Sequence, residues 1–284
     1  MKLIEPLMRL VRPMNLKGAG TLFNPFTPWE GEREIAISDK IRLRVNLANG
    51  QQRQMFMGCF ARVVQMPIIA LLKPGDTFLD VGANIGFMTL LAASRVGEKG
   101  RVIAVEPYPP TFDALEQNVR FNSLAYVQLH QFALSSEAGF VRLWIPAPDD
   151  HREFNVSILQ NDGTTPIDVP AQTLDESVAK WGATSIQLMK IDVEGAEPHV
   201  FKGGAHILES GVVRHLVCEI NGKYLVRQGS SPMDLLKQIE SLGFVFGKLD
   251  GGLVVPAPRP ALTAADEIDG LFVHRSVLTQ ANRC

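Results

Sequence analysis

One nine-residue run limits what this chain can fold into more than any other. Phe78-Leu79-Asp80-Val81-Gly82-Ala83-Asn84-Ile85-Gly86 ends an apolar strand, turns on two glycines and enters a helix. The strand, 77–81, follows the turn Lys73-Pro74-Gly75-Asp76, and the helix, 85–94, is apolar nearly all round and so belongs in a core. Glycines at such a bend let the backbone turn tightly and come close to a ligand, and the helix N-terminus offers N–H groups and partial positive charge.

The rest of the chain repeats the strand–helix rhythm. Strands are expected at 101–106, 126–131, 185–193, 215–220, 243–249 and 270–274, with helices at 110–121, 197–208 and 232–242. Phe112, Leu115 and Val119 give the first of these helices one core-facing stripe. Alternation of this kind implies an α/β fold with a mostly parallel, buried, doubly wound sheet. Two parts depart from it. Segments 140–145 and 167–169 read as extra β structure, and the last two strands, parted by a proline-rich stretch at 255–260, are expected to close the sheet as an antiparallel hairpin. Ahead of the repeat, Ile35, Ile37, Ile41, Leu43 and Val45 alternate around Ser38-Asp39-Lys40 as a small hairpin, and residues 1–16 read as a helix docked on the body of the protein. Residues 1–65 are therefore an N-terminal accessory segment and 66–284 the ligand-binding domain.

Glu106 says what kind of ligand. It ends the second strand, twenty positions after Gly86, where an acidic residue accepts bonds from ribose hydroxyls. Asn84 stands where a dinucleotide fingerprint has its middle glycine, and Asp80 puts negative charge before the bend. That arrangement repels a pyrophosphate and suits an ammonium group, so S-adenosyl-L-methionine is favoured over NAD.

The runs Leu72-Lys73-Pro74-Gly75-Asp76, Asp80 to Gly86, Val105-Glu106-Pro107, Met189-Lys190-Ile191-Asp192-Val193-Glu194-Gly195-Ala196-Glu197 and Cys218-Glu219-Ile220 resemble the FkbM family of methyltransferases, in order, from roughly 67 to 246. The resemblance implies a class I methyltransferase (Rossmann-like) fold of seven strands with an antiparallel last strand. It also implies S-adenosyl-L-methionine as cofactor and O-methylation of a hydroxyl on a sugar, glycan or secondary metabolite. It carries over Asp80, Gly82, Asn84, Gly86 and Glu106 as cofactor contacts, with Ala83, Pro107 and Asp192 beside them, and sets Ala133 and Leu134 against the adenine. Near Gly58, where family members often carry a glutamate, this chain has Cys59-Phe60-Ala61.

Lys190, Asp192 and Glu194 alternate along a strand and its exit, on one face and across the switch point from the glycine bend. A hydroxyl acceptor needs a group to take its proton, and Asp192 and Glu194 are the first candidates, followed by Glu219 and His151, with Lys190 alongside. The structural alternative is a partly buried Lys190–Asp192 pair with Glu194 and Glu197 capping the next helix. No spacing calls for a metal. The N-terminal segment and residues 144–168 are expected to shape the acceptor pocket, with Trp29, Trp144 and Phe154 as aromatic candidates. The competing readings are an NAD-linked oxidoreductase and a catalytically silent, partner-binding scaffold.

A net charge of −2 gives no pull toward nucleic acid or anionic membrane, and the N-terminal apolar runs are too short for a membrane span. The partner expected is a small-molecule or carbohydrate acceptor. Cys59, Cys218 and Cys284 form no CxxC pattern, which fits a reducing, cytoplasmic setting.

Overall fold

The computed structural model describes residues 30–145 and 165–281. The chain enters as a hairpin, β1 (Glu32–Ala36) and β2 (Arg42–Asn46), with Ser38 Oγ accepting the Ile41 N–H in the turn. Two helices follow, α1 (Gly50–Met57) and α2 (Arg62–Leu71). The repeating part is β3 (Thr77–Val81), α3 (Phe87–Val96), β4 (Arg101–Val105), α4 (Pro109–Phe121) and β5 (Val127–His130). An inserted β region comes next, β6 (Ala133–Leu134), β7 (Gly139–Ile145) and β8 (Thr165–Gln172), then α5 (Leu174–Trp181) and β9 (Leu188–Ile191). The chain goes on through α6 (Glu197–Gly203), α7 (Ala205–Glu209), β10 (His215–Asn221), α8 (Gly222–Arg227) and α9 (Pro232–Ser241). It closes with β11 (Phe244–Asp250), β12 (Leu253–Pro256), β13 (Glu267–His274) and α10 (Arg275–Ala281).

The main sheet has the order β12-β11-β13-β10-β9-β3-β4-β5. Pairs among β10, β9, β3, β4 and β5 are parallel, and β13 lies antiparallel between β10 and β11. This is the doubly wound class I methyltransferase arrangement, with the expected antiparallel last strand. The sheet holds eight strands rather than seven because the chain beyond β11 folds straight back as β12 before reaching β13. The expected helix at 197–208 is two pieces: it breaks at Gly204, where a Cβ would sit 2.5 Å from Leu174. The extra β segments form a separate three-stranded sheet, with β7 and β8 antiparallel over their whole length.

Side chains alternate across the buried strands and so build two cores. Phe78, Ala104, Leu188 and Val217 face the hairpin, α2 and α3; Leu79, Val81, Met189, Ile191 and Cys218 face α5, α6 and α9. The hairpin joins the first of these cores through Ile35, Leu43 and Val45, and α2 runs through position 65 with Val64, Ile68 and Leu71 in the same core. The outer edge of β2 is satisfied by side chains. Asn122 accepts from Arg42 N–H at 2.8 Å and donates to Arg42 O at 2.7 Å, while Asn118, one turn earlier on α4, accepts from Arg44 N–H at 2.9 Å. Two amides spaced i, i+4 thus stand in for a third strand.

Among the described residues no single helix is long and apolar enough to cross a membrane; α1 and α2 reach that length only as a pair bent by 53°.

Candidate functional site

A cleft of about 1030 Å³ opens at the carboxyl ends of β3, β4 and β9, where strand order reverses on either side of β3. Its floor is the glycine bend. Gly82 has φ +76°, and a Cβ there would collide with the Asp192 carbonyl, so only glycine lets the exit of β9 pass over the bend. The close approach is therefore made by the protein's own backbone. The N–H groups of Gly82 and Ala83 both donate to Val105 O at 3.0 Å, Asn84 N–H donates to Glu106 Oε2 at 2.9 Å, Ile85 N–H to Asn84 Oδ1 at 2.7 Å, and Gly86 N–H to Ala83 O at 3.0 Å. No N–H of residues 82–86 is left for a phosphate oxygen, and a pyrophosphate finds no cradle in that run.

Asn84 itself takes a left-handed conformation, φ +51°, which asparagine tolerates better than most residues. That turns its amide toward α1, where Nδ2 donates to Gln51 Oε1 at 3.0 Å. Gln51, Gln54 and Met55 of α1, with Phe60, Ala61 and Val64 beyond it, wall the cleft opposite the sheet, and Phe60 packs edge-on to Phe87 of α3 at 5.3 Å between ring centroids. Of the departure Cys59-Phe60-Ala61, Phe60 and Ala61 thus lie at the cleft wall.

Two expected cofactor contacts lie elsewhere. Asp80 is fully buried beneath the bend, because β3 is a central strand covered on both faces. Its Oδ2 accepts from Thr89 Oγ1 at 2.6 Å, and its Oδ1 lies 3.7 Å from Lys190 Nζ, so it holds the start of α3 from beneath and is not part of the cleft lining. Gly86 packs under α4, where a Cβ would meet Leu115 Cδ1 at 2.6 Å. Gly82, Ala83, Asn84, Glu106, Pro107, Ala133, Leu134 and Asp192 all line the cleft.

Glu106 is 8% exposed and faces the cleft. Its Oε1 accepts the Tyr108 N–H at 3.0 Å and its Oε2 the Asn84 N–H, which fixes the carboxyl and leaves each oxygen a lone pair for a hydroxyl. Burial pushes its pKa up to about 7, against the pull of the two backbone donors and Lys190. Phe132 joins Ala133 and Leu134 on the apolar wall after β5.

Lys190 donates to Gly82 O at 2.7 Å and lies 3.2 Å from Asp192 Oδ2. Burial alone lowers an ammonium pKa, but Asp192 and Asp80 together hold this one above its usual value. The geometry shows the partly buried pair: Lys190 is buried, while Asp192, which lines the cleft, keeps 39% of its side chain exposed. Glu194 reaches the same cleft by a loop residue in the left-handed region, φ +55°, beyond the end of β9. Glu197 staples that loop, accepting from Val193 N–H at 3.1 Å and Gly195 N–H at 3.2 Å. Glu219 completes the group at the end of β10; burial, then Asp192 and Glu194, push it up to about 10. Glu194 is likewise raised, by burial and then by Asp192 and Glu197. His151, Trp29 and Phe154 lie outside the described residues; Trp144 sits half-buried on β7 while Val141, Arg142 and Leu143 beside it line the cleft.

Sequence reasoning missed Gln51, Phe132, Glu267 and Asp269 as lining residues. The last two were within reach: an antiparallel final strand must start where the parallel strands end. Nothing local in the sequence ties Gln51 to Asn84.

Comparison with known proteins matches residues 80–246 to the methyltransferase FkbM domain. Over 163 residues the chain is 29% identical to methyltransferase sdnD of Sordaria araneosa, covering 48% of this chain and 62% of that protein. It is 30% identical over 178 residues to the 31-O-demethyl-FK506 methyltransferase FkbM of Streptomyces tacrolimicus, covering 53% and 67%. It is 29% identical over 168 residues to the hexuronic acid methyltransferase AglP of Haloferax volcanii, covering 57% and 60%. The matched part spans about three fifths of the length of the sdnD and AglP proteins.

Proposed function

The chain belongs to the FkbM methyltransferase domain family, and on that premise we propose that it transfers a methyl group from S-adenosyl-L-methionine to a hydroxyl of a sugar, glycan or secondary metabolite. The observation that carries this reading is Glu106, fixed by two backbone N–H groups at the end of β4 and open to the cleft, beside a bend whose own N–H groups are already used. That donor set fits a nucleoside without a pyrophosphate. Apolar Phe132, Ala133 and Leu134 fit an adenine face, and the volume exceeds the cofactor's needs, leaving room for an acceptor. The name of one relative, a 31-O-demethyl-FK506 methyltransferase, supports transfer to oxygen, and that of another, a hexuronic acid methyltransferase, supports a carbohydrate acceptor.

The cofactor supplies a methyl group already activated by its positive sulfonium. What remains for the protein is alignment, exclusion of water and removal of one proton. The α1–α2 corner lines the cleft through Gln51, Met55, Phe60 and Val64 and narrows the access of water to it. Lys190 pins Asp192 at 3.2 Å, so its exposed oxygen points from a fixed place into the cleft. Asp192 is the group best set to accept the acceptor's hydroxyl proton, with Glu194 next to it as the alternative. Burial and the neighbouring carboxylates raise Glu219, which favours its protonated form and makes it a poorer proton acceptor than Asp192.

Calorimetric titration and turnover with labelled cofactor test this. The wild type should bind S-adenosyl-L-methionine and show no binding of NAD. Glu106→Ala should weaken cofactor affinity by about 30-fold or more, the loss expected for a buried charged hydrogen-bond acceptor. Asp192→Asn should keep affinity for S-adenosylhomocysteine within about 3-fold while turnover falls by roughly 100-fold or more, the usual contribution of a general base. Unchanged cofactor affinity in a folded Glu106→Ala protein would sink the reading.

A further inference from the structure

At the far end of the cleft stand two residues with no part in the reaction described above. Because β13 runs antiparallel to β10, its first residues arrive at the carboxyl end of the parallel strands. Asp269 pairs with Glu219 and Glu267 with Asn221, and directly opposed residues of antiparallel strands project to one face. Glu267 and Asp269 therefore extend a wall already made of Asp192, Glu194 and Glu219.

Among the described residues, Lys190 is the cation that faces these carboxyls from within the protein: it pairs with Asp192 and pulls on Glu194, Glu219 and Asp269. It stands behind the wall, held by Asp192, Asp80 and the Gly82 carbonyl. Arg142, which also lines the cleft, is paired with Asp168, and Arg53 donates to Leu47 O and Ala48 O. Two oxygens, Glu194 Oε2 and Glu219 Oε2, are shut off from solvent with no hydrogen-bond partner among the described residues. Both belong to side chains that line the cleft. Burial and mutual repulsion favour a proton on these two carboxyls, and a donor with positive charge arriving in the cleft would favour their ionised form and offset the cost of the unpaired oxygens. No three of these groups, among the described residues, gather closely enough to hold a metal ion. An organic cation carrying several N–H donors meets the need, since it can reach oxygens that are spread along a wall.

On the reading of the cleft as a methyl-transfer site, we infer that Glu267 and Asp269 are acceptor-specificity residues that recognise an ammonium group. The acceptor is then an amino sugar or similar amino alcohol, with its cationic nitrogen on this wall and its hydroxyl toward Asp192. Neutral sugars lose the ionic contact, and uronic acids are repelled.

The test uses protein saturated with S-adenosylhomocysteine, titrated calorimetrically with the methyl glycosides of glucosamine, glucose and glucuronic acid. The glucosamine glycoside should bind at least about 10-fold tighter than the glucose glycoside, a difference of about 1.4 kcal/mol, and the glucuronide should show no binding. In the double variant Glu267→Gln, Asp269→Asn the first two should bind alike, with S-adenosylhomocysteine affinity unchanged. Equal binding of the three by the wild type, preference for the neutral or acidic sugar, or binding of none overturns the inference. So does a loss of about 10-fold or more in S-adenosylhomocysteine affinity in the double variant, which would give the pair to the cofactor's own ammonium. Failure of the wild type to take up S-adenosylhomocysteine overturns the methyl-transfer reading itself, and this inference with it.

Discussion

Lys190 ties three parts of the chain together: the bend through Gly82 O, the strand β3 through Asp80, and the cleft through Asp192. Its stem and Asp80 are both buried, so removing one charge strands the other. Lys190→Met is expected to cost about 3–5 kcal/mol, the penalty for breaking a buried pair. The double variant Asp80→Asn, Lys190→Met should recover a large part of that, since the charge then left without its partner, Asp192, is partly exposed to solvent. Urea unfolding of the four proteins reads both numbers; additive losses would show that Asp80 and Lys190 do not act as a pair. The sequence put Lys190 and Asp192 together correctly but sent Asp80 to the ligand. Position in the chain reveals that Asp80 ends a strand; it does not reveal that the strand is central and roofed by its own loop. Glu106, at the same kind of strand end, does reach the cleft, because the chain after β4 turns away at Pro107 instead of doubling back over it.

Among elements, the hairpin depends on α4 in a way that hydrophobic patterning does not show. Asn118 is 2% exposed and bonds Arg44 N–H, Arg44 O and Ile85 O, the last within the glycine bend. Asn122 bonds Arg42 near solvent, where water replaces it readily. Asn118→Ala is expected to cost about 2–3 kcal/mol and to speed amide hydrogen exchange across residues 32–46, whereas Asn122→Ala should cost less than about 1 kcal/mol. Exchange rates in the hairpin that ignore Asn118→Ala would mean that Ile35, Leu43 and Val45 hold it unaided. Strand and helix positions in the repeating part were legible because buried strands and amphipathic helices carry their period openly: 77–81 was found at both ends. The helix α5 was missed although Thr173 caps it, accepting the Glu176 N–H at 3.2 Å, in the Thr-x-x-Glu pattern of a capping box. Helices α1 and α2 were missed for a different reason. The first is polar along most of its length and contains Gly50, and the second contains Pro67, so their existence rests on tertiary packing rather than on local preference.

For the molecule as a whole, the carboxyl wall sets how stability responds to pH. Burial raises Glu106 and Glu197 to about 7, Asp269 to about 6 and Glu219 to about 10, all above their ordinary values near 4 to 4.5. A raised carboxyl keeps its proton in the folded state after the unfolded chain has lost it, so its stabilising effect is complete at low pH and drains away as pH climbs through the folded value. The histidines act in the opposite sense. His130, His215 and His274 are lowered by burial, and each favours the folded state more as pH rises toward 6.5. Above about pH 7.5 the histidines are neutral in both states, and Glu106, Glu197 and Asp269 have largely ionised. Glu219 is then the main group of the wall still exchanging its proton, with Glu194 beside it raised in the same direction. Unfolding free energy should therefore fall between pH 7.5 and 9.5 by roughly 1.4 kcal/mol per pH unit. Glu219→Gln, which keeps a neutral group of the same shape, should flatten that slope and should also ease the fall at lower pH, from about 4.5 upward, where the unfolded carboxyl has already ionised. Urea unfolding curves at half-unit steps measure it. A wild-type curve that is level or rising over that range would mean the wall is already ionised, with its oxygens satisfied in some way other than by holding protons.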